Sequence, residues 1–158
     1  GEVVIPDSLA IAEYVAELAP EAGLWPDDLT ARAVARSLCA EMHAGFPAIR
    51  SSLPRNVRAR REPRERPRDL RREIERVTTL WADTREAYGR GGPFLFGRRS
   101  IADAFFAPIA FRFRTYAVPV DGEAARWMKT ILDLPAMRDW AAKAEGEGHP
   151  QPAYDALP

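Results

Sequence analysis

Hydrophobic residues recur at intervals of three and four along most of this chain, the spacing that places them on one face of an α-helix. Only one short apolar run, residues 2–5, has the character of a strand, and Pro6 would end it because proline has no backbone donor for further pairing. The pattern therefore predicts a mainly α protein.

The helix boundaries follow from residues that favour the first turn and residues that end a helix. The first helix is predicted to start at Asp7 or Ser8, and Pro20 closes it. The later helices are predicted at residues 27–53, 69–88, 100–117, 122–132 and 135–144. Pro47 lies inside the second of these, so we expect a kink at residues 44–46. The composition after Gly146 predicts an unfolded or surface-draped tail.

Composition and charge narrow the class of protein. The chain has 158 residues, is 46% hydrophobic and carries 23 basic and 23 acidic side chains, which is enough for one soluble domain with its own core. Cys39 is the single cysteine and there are two histidines, so we expect no disulfide, no structural metal and a reducing cytoplasmic location. No apolar run approaches the roughly 20 residues that span a bilayer, and the first residues do not form a leader, so no membrane partner is expected.

Residues 54–68 lack the apolar pattern and contain three prolines, which predicts a loop or a frayed helix end. Residues 55–72 hold nine arginines and three acidic residues, a surplus of six positive charges in a neutral chain. A solvated loop is the simplest interpretation, and a site for a polyanion or an acidic partner is the alternative. We expect no nucleic-acid partner, because single-strand binders place aromatic side chains among the cations and this stretch has none.

Two short motifs suggest local structure with chemical consequences. Ser100 and Asp103 have the spacing of a capping box, in which each side chain bonds the other residue's backbone amide. Asp7 and Ser8 form an acid–serine pair at a helix N-terminus directly after the predicted strand, where free amides favour a carboxylate ligand. Each motif is common by itself.

Together, about 90 residues apart and separated by two long helices, the two motifs resemble those of cytosolic glutathione S-transferases. Residues 41–58 are similar to the fourth helix of a bacterial subgroup of transferase-like proteins, and residues 134–140 are similar to the family's last helix. The resemblance implies a helical bundle like the family's C-terminal domain, preceded by a remnant strand and helix of a thioredoxin-like α/β domain. It divides the chain into residues 1–20 (end of a truncated thioredoxin-like domain), 27–146 (helical domain) and 147–158 (tail).

The same resemblance implies an activity. The intact protein would conjugate glutathione to a small hydrophobic electrophile, or run a related isomerisation or reduction, as a homodimer. Asp7 and Ser8 would hold the γ-glutamyl end of glutathione, and Phe106, Phe113 and Tyr116 would help to line the pocket for the hydrophobic co-substrate. The family's catalytic residue would lie upstream of Gly1, so we expect the chain as given to be inactive.

Several residues have a structural interpretation beside the functional one. Ser8 would then only cap its helix, and the aromatic residues would belong to the core. His43 and Arg50 share one face of the second helix, which would face either the cleft or the dimer partner. There Arg50 would bind a carboxylate and His43 would bind an acceptor. In the structural alternative, both side chains bond partners within the fold, His43 at a helix interface and Arg50 paired with an acidic residue. Cys39 is interpreted as a packing residue rather than a nucleophile.

A non-catalytic alternative stays open for the protein as a whole. A transferase-like helical domain also serves as an interaction or dimerisation module, in which the same folded surface binds a partner and no reaction occurs.

Overall fold

The computed structural model describes residues 3–147, and within them the chain forms seven α-helices and no strand. The helices are α1 (Ser8–Leu18), α2 (Leu29–Ala44), α3 (Pro47–Ser52), α4 (Arg68–Tyr88), α5 (Ile101–Thr115), α6 (Gly122–Asp133) and α7 (Pro135–Gly146), with one turn of 3₁₀-helix at Pro20–Ala22. The prediction of a mainly α protein is confirmed. The predicted tail lies outside the described residues, apart from Glu147.

The predicted strand at residues 2–5 is wrong over the part that the structure describes. Residues 3–7 have no regular structure, and Val3 and Val4 are 66% and 88% exposed. A strand is stabilised by backbone hydrogen bonds to a neighbouring strand, and residues 3–147 contain no strand that would supply them.

Helix α5 forms the centre of the bundle and packs against α2 on one side and α6 on another, while α4 packs on α6 and α3. Trp81 of α4 lies at the middle of this core. Its ring centroid is 4.4 Å from that of Trp127, 6.1 Å from that of Phe106 and 5.6 Å from that of Phe113. Because α5 is apolar on most of its circumference, it is buried along almost its whole length.

The predicted long second helix is interrupted where a kink was expected. Helix α2 ends at Ala44, and Phe46 adopts a left-handed backbone conformation with φ +61° before Pro47 begins α3. Proline at the first helical position lacks only a donor that would have no partner there. The Phe46 side chain is buried, so it anchors the break to the core.

The arginine-rich loop between α3 and α4 is tied to the C-terminal end of α5. Arg66 Nη2 donates to the carbonyls of Tyr116 and Ala117 at 3.1 and 3.2 Å, and the Arg61 amide donates to the Thr115 carbonyl at 2.7 Å. The last carbonyls of a helix lack intrahelical partners. The loop prediction is confirmed, and part of its charge satisfies these carbonyls.

The predicted capping box at the start of α5 is formed. The buried Asp103 carboxylate accepts from the Ser100 amide at 2.8 Å and from Ser100 Oγ at 3.1 Å. It therefore defines where the central helix begins.

Candidate functional site

Asp7 begins the candidate site by capping α1. Its Oδ1 accepts from the backbone amides of Leu9 and Ala10 at 2.9 and 3.1 Å, which satisfies two amides that have no partner within the helix. The hydrogen bond from Ala10, with further contributions from Leu9 and from the nearby His43 ring, lowers the pKa of the Asp7 carboxyl below its ordinary value. Asp7 is the cap, and Ser8 is the first residue of the helix, so the alternative that Ser8 caps α1 is wrong.

His43 joins this helix start to the last turn of α2. Its Nε2 lies 2.9 Å from Asp7 Oδ2, and its Nδ1 lies 3.4 Å from Ser8 Oγ. A carboxylate only accepts hydrogen bonds, so this network assigns the proton of a neutral ring to Nε2 and leaves Nδ1 to accept from the Ser8 hydroxyl. The His43 side chain is 39% exposed, so the cluster remains open to solvent and to a ligand.

A cavity of about 540 Å³ opens beside this cluster. Its wall combines cationic, hydroxyl, imidazole and apolar side chains. The lining residues are Ser8, Met42, His43, Arg50, Arg55, Ala104, Phe105, Pro108 and Arg112. A cavity of this size and mixed polarity is suited to a small organic ligand with a charged group.

The structure brings together the predicted site residues Ser8, His43 and Arg50 on one cavity, with Asp7 behind them. Arg50 donates from Nε to the Gly45 carbonyl at 2.9 Å and from Nη2 to the Met42 carbonyl at 2.6 Å. These bonds hold its guanidinium across the break between α2 and α3. Among the described residues Arg50 has no ion pair, so the alternative that pairs it with an acid is wrong.

The three aromatic residues expected to line the co-substrate pocket lie elsewhere, so that expectation is corrected. Phe106 and Phe113 are fully buried against Trp81, and Tyr116 is buried as well, so none of the three lines the cavity. Successive residues of a helix point about 100° apart. Phe105 therefore faces the cavity, while Phe106 faces the core.

Sequence reasoning missed the cavity residues Arg55 and Arg112. A signal was present for Arg112, because Ala104, Pro108 and Arg112 are spaced by four on the face of α5 that is not fully buried. Arg55 was marked only as the first arginine of the stretch 55–72, and it reaches the cavity from the loop after α3.

Cys39 is confirmed as a packing residue. It is fully buried, and this burial raises the pKa of its thiol to about 12. A thiol that stays protonated at neutral pH is a poor nucleophile.

Neither metal ligation nor membrane insertion is indicated by residues 3–147. In that part of the chain, no three His, Cys, Asp or Glu side chains are grouped so that they would hold a metal ion. None of the helices described above is both long enough and apolar enough to span a membrane.

Comparison with solved structures shows the fold. The chain is similar to a glutathione transferase homologue from Burkholderia GL BGR1 whose crystal structure contains bound glutathione. The TM-score is 0.62 at 21% sequence identity, and the match covers 92% of this chain and 70% of that chain. The helical bundle thus has the fold of a glutathione transferase C-terminal domain. No protein-family model matches the sequence, and no curated protein matches it.

Proposed function

We propose that this chain is part of a glutathione transferase in which Asp7 and Ser8 hold the γ-glutamyl end of glutathione. One observation carries the proposal: the capped start of α1, with Asp7 and Ser8 bonded to His43, lies at the rim of the 540 Å³ cavity. The structural neighbour, which has the same fold, was crystallised with glutathione.

The γ-glutamyl end carries an ammonium and a carboxylate on one carbon, and the start of α1 offers partners for both. The Asp7 carboxylate accepts from the ammonium, while the Ser8 hydroxyl, which donates to His43 Nδ1 in the free site, turns to donate to the ligand carboxylate. The positive end of the helix dipole favours that carboxylate further. In the free site His43 orients both side chains, since it bonds Asp7 through Nε2 and Ser8 through Nδ1. The second substrate, a small electrophile with an apolar body, occupies the cavity beside the bound tripeptide.

Thiol activation requires a further group. A thiol with a pKa near 8.5 is only about 3% thiolate at pH 7, so the enzyme must lower that pKa. No described side chain beside the cavity is a buried hydroxyl or thiol suited to this task, and Cys39 is in the core. In this proposal the activating residue belongs to a thioredoxin-like domain, and residues 1–158 alone show no turnover.

The surface of α1 supports the proposed domain division. Ile11, Tyr14, Val15 and Leu18 are exposed, an apolar face that a neighbouring unit would cover. We therefore assign residues 1–20 to the end of the thioredoxin-like domain, 27–146 to the helical domain and 147–158 to a tail. The whole protein is proposed to act as a cytoplasmic homodimer.

The test is retention of the full-length gene product on glutathione-agarose. Ser8→Ala and Asp7→Asn should each abolish or strongly reduce retention, because they remove the donor and the charge that hold the γ-glutamyl end. Ser37→Ala is the matched control: this serine is exposed in the middle of α2, outside the cavity.

The site assignment and the function are tested by separate outcomes. Unchanged retention of Ser8→Ala and Asp7→Asn would overturn the site assignment. Failure of the unmodified protein to bind glutathione would overturn the function itself. Circular dichroism of each variant shows whether a loss of retention reflects a loss of fold.

The exposed apolar face of α1 also favours a second candidate, a non-catalytic interaction or dimerisation module. Turnover separates the two, because a module would bind its partner and conjugate none of a panel of small electrophiles. No contact among the described residues favours the polyanion alternative for residues 55–72, where Arg60 and Arg66 direct some of their donors to backbone carbonyls. Absence of heparin binding at physiological salt would eliminate that alternative.

A further inference from the structure

We infer that the second substrate of this site carries a carboxylate on a compact apolar body and is held by Arg50, Arg55 and Arg112. This inference rests on the proposed function, which identifies the ligand of the cavity as the second substrate. The observation behind it is the composition of the cavity wall: the described residues that line it supply three guanidinium groups and no acidic side chain.

The three arginines reach the cavity from different parts of the chain. Arg50 lies in α3, Arg55 in the loop that follows it, and Arg112 near the end of α5. Guanidinium groups that line one cavity repel one another, and an anionic ligand lowers that cost.

Two of these guanidinium groups are held by bonds to neutral oxygen atoms. Arg50 donates to the Gly45 and Met42 carbonyls, and Arg112 donates to the Leu53 carbonyl. Arg55 lies over the Trp140 ring, with its Cζ 5.8 Å from the ring centroid. The carbonyls around Arg50 and the ring beside Arg55 orient these two guanidinium groups without cancelling their charge.

The nearby Asp7 carboxylate directs most of its acceptor positions to protein donors. Asp7 accepts from the Leu9 and Ala10 amides and from His43 Nε2, and it is not among the residues that line the cavity. Its negative charge is stabilised at the helix start and leaves the cavity wall positively charged.

The apolar part of the cavity wall sets the shape of the ligand. Met42, Ala104, Phe105 and Pro108 form an apolar surface that would cover a flat or bulky hydrocarbon body. At about 540 Å³ the cavity is within the range of small-molecule sites, about 300–1,000 Å³. The arrangement fits an aromatic or branched carboxylic acid better than an uncharged hydrocarbon electrophile.

A matched pair of probes tests the charge requirement. 2-Naphthoate and 2-naphthamide have almost the same shape and differ in charge, so titration calorimetry on the full-length gene product compares them directly. We expect naphthoate to bind at least about tenfold more tightly, since hydrogen bonds between two charged groups are stronger than those to a neutral amide. Equal affinity for the two probes would overturn the inference.

Variants then locate the effect. Arg55→Gln changes an exposed loop residue and should weaken naphthoate binding by about three- to tenfold while leaving naphthamide binding unchanged. Arg50→Gln provides a second, independent removal of charge from the cavity. The control is Arg72→Gln, an exposed arginine of α4 outside the cavity, which should alter neither affinity. An equal loss of naphthoate binding in Arg72→Gln would overturn the assignment to this cavity.

The carboxylate that these arginines bind has a second conceivable source, because glutathione itself carries carboxylates. Titration of naphthoate in saturating glutathione separates the two. Retained naphthoate affinity supports a second-substrate site, whereas competitive loss assigns the arginines to glutathione and overturns the inference. Probe discrimination by a protein that fails to bind glutathione-agarose would instead overturn the proposed function and support the anion site.

Discussion

Asp103 and Trp127 are joined by a buried hydrogen bond in which the indole Nε1 donates to Asp103 Oδ1 at 2.8 Å. The same oxygen accepts from the Leu95 amide at 3.0 Å, and the other carboxylate oxygen accepts from Ser100. A residue that the sequence identifies as a helix cap thus connects the start of α5, the preceding loop and the middle of α6. It is a buried carboxylate in a mostly apolar core.

Asp103→Ala should lower the free energy of unfolding by about 3 kcal/mol or more, because each buried donor left without an acceptor costs about 1–3 kcal/mol. Urea denaturation followed by circular dichroism measures the change. Asp139→Ala is the control; its exposed ion pair with Lys143 should contribute less than about 1 kcal/mol. A loss below 1 kcal/mol in Asp103→Ala would contradict the central role of this carboxylate.

Ala117→Gly should raise the free energy of unfolding by about 0.5–1 kcal/mol. Ala117 has φ +46°, a left-handed conformation that costs an L-residue about 1–2 kcal/mol and costs glycine almost nothing. Part of this gain is offset because glycine makes the unfolded chain more flexible.

The matched control for Ala117→Gly is Ala40→Gly, in the exposed middle of α2, which should lose about 1 kcal/mol. The same denaturation experiment compares the two variants. A loss of stability in Ala117→Gly equal to that in Ala40→Gly would show that the left-handed turn is not strained.

Cys39 should react slowly with a disulfide reagent at pH 8 in the native protein and rapidly in denaturant. Burial raises the pKa of the thiol from 9.0 to about 12, so almost no thiolate is present in the folded state. The thiol has the higher pKa in the folded protein. Its titration therefore leaves the free energy of unfolding unchanged below pH 9 and lowers it as the pH rises from 9 toward 12. Native labelling at the rate of an unfolded thiol would contradict the packing role.

Asp133 should titrate with a midpoint of about 2, below its ordinary value of 3.8, because Arg138 and then Lys129 donate hydrogen bonds to its carboxylate. The carboxyl has the lower pKa in the folded protein. The ionised carboxylate therefore stabilises the fold above pH 3.8, and this stabilisation is lost as the pH falls toward 2. Carboxyl NMR of Arg138→Gln should show the midpoint moved upward. Lys143→Gln, which affects the Asp139 pair instead, should leave it unchanged.

Much of the fold follows from short-range rules. The period of the apolar positions predicts the helices, Pro47 predicts the break after α2, and the Ser100–Asp103 spacing predicts the capping box. All of these depend on backbone hydrogen bonds and dihedral limits within a few residues, so local sequence carries the information.

The site was predictable only in part. The acid–serine pair marked the start of α1, and the spacing on the second helix placed His43 and Arg50 on one face. Nothing local showed that His43 would bond Asp7, or that Arg55 and Arg112 would line the same cavity. Those contacts join residues from distant parts of the chain.

The sequence pattern alone is sufficient for most of the helices and for the capping box of Ser100 and Asp103, because each depends on neighbours in the chain. Tertiary packing decided three other features: residues 3–7 do not form a strand, Phe106 faces the core while Phe105 faces the cavity, and three arginines share one wall. The physical reason is that strand pairing, burial and charge convergence depend on which distant segments meet when the helices pack.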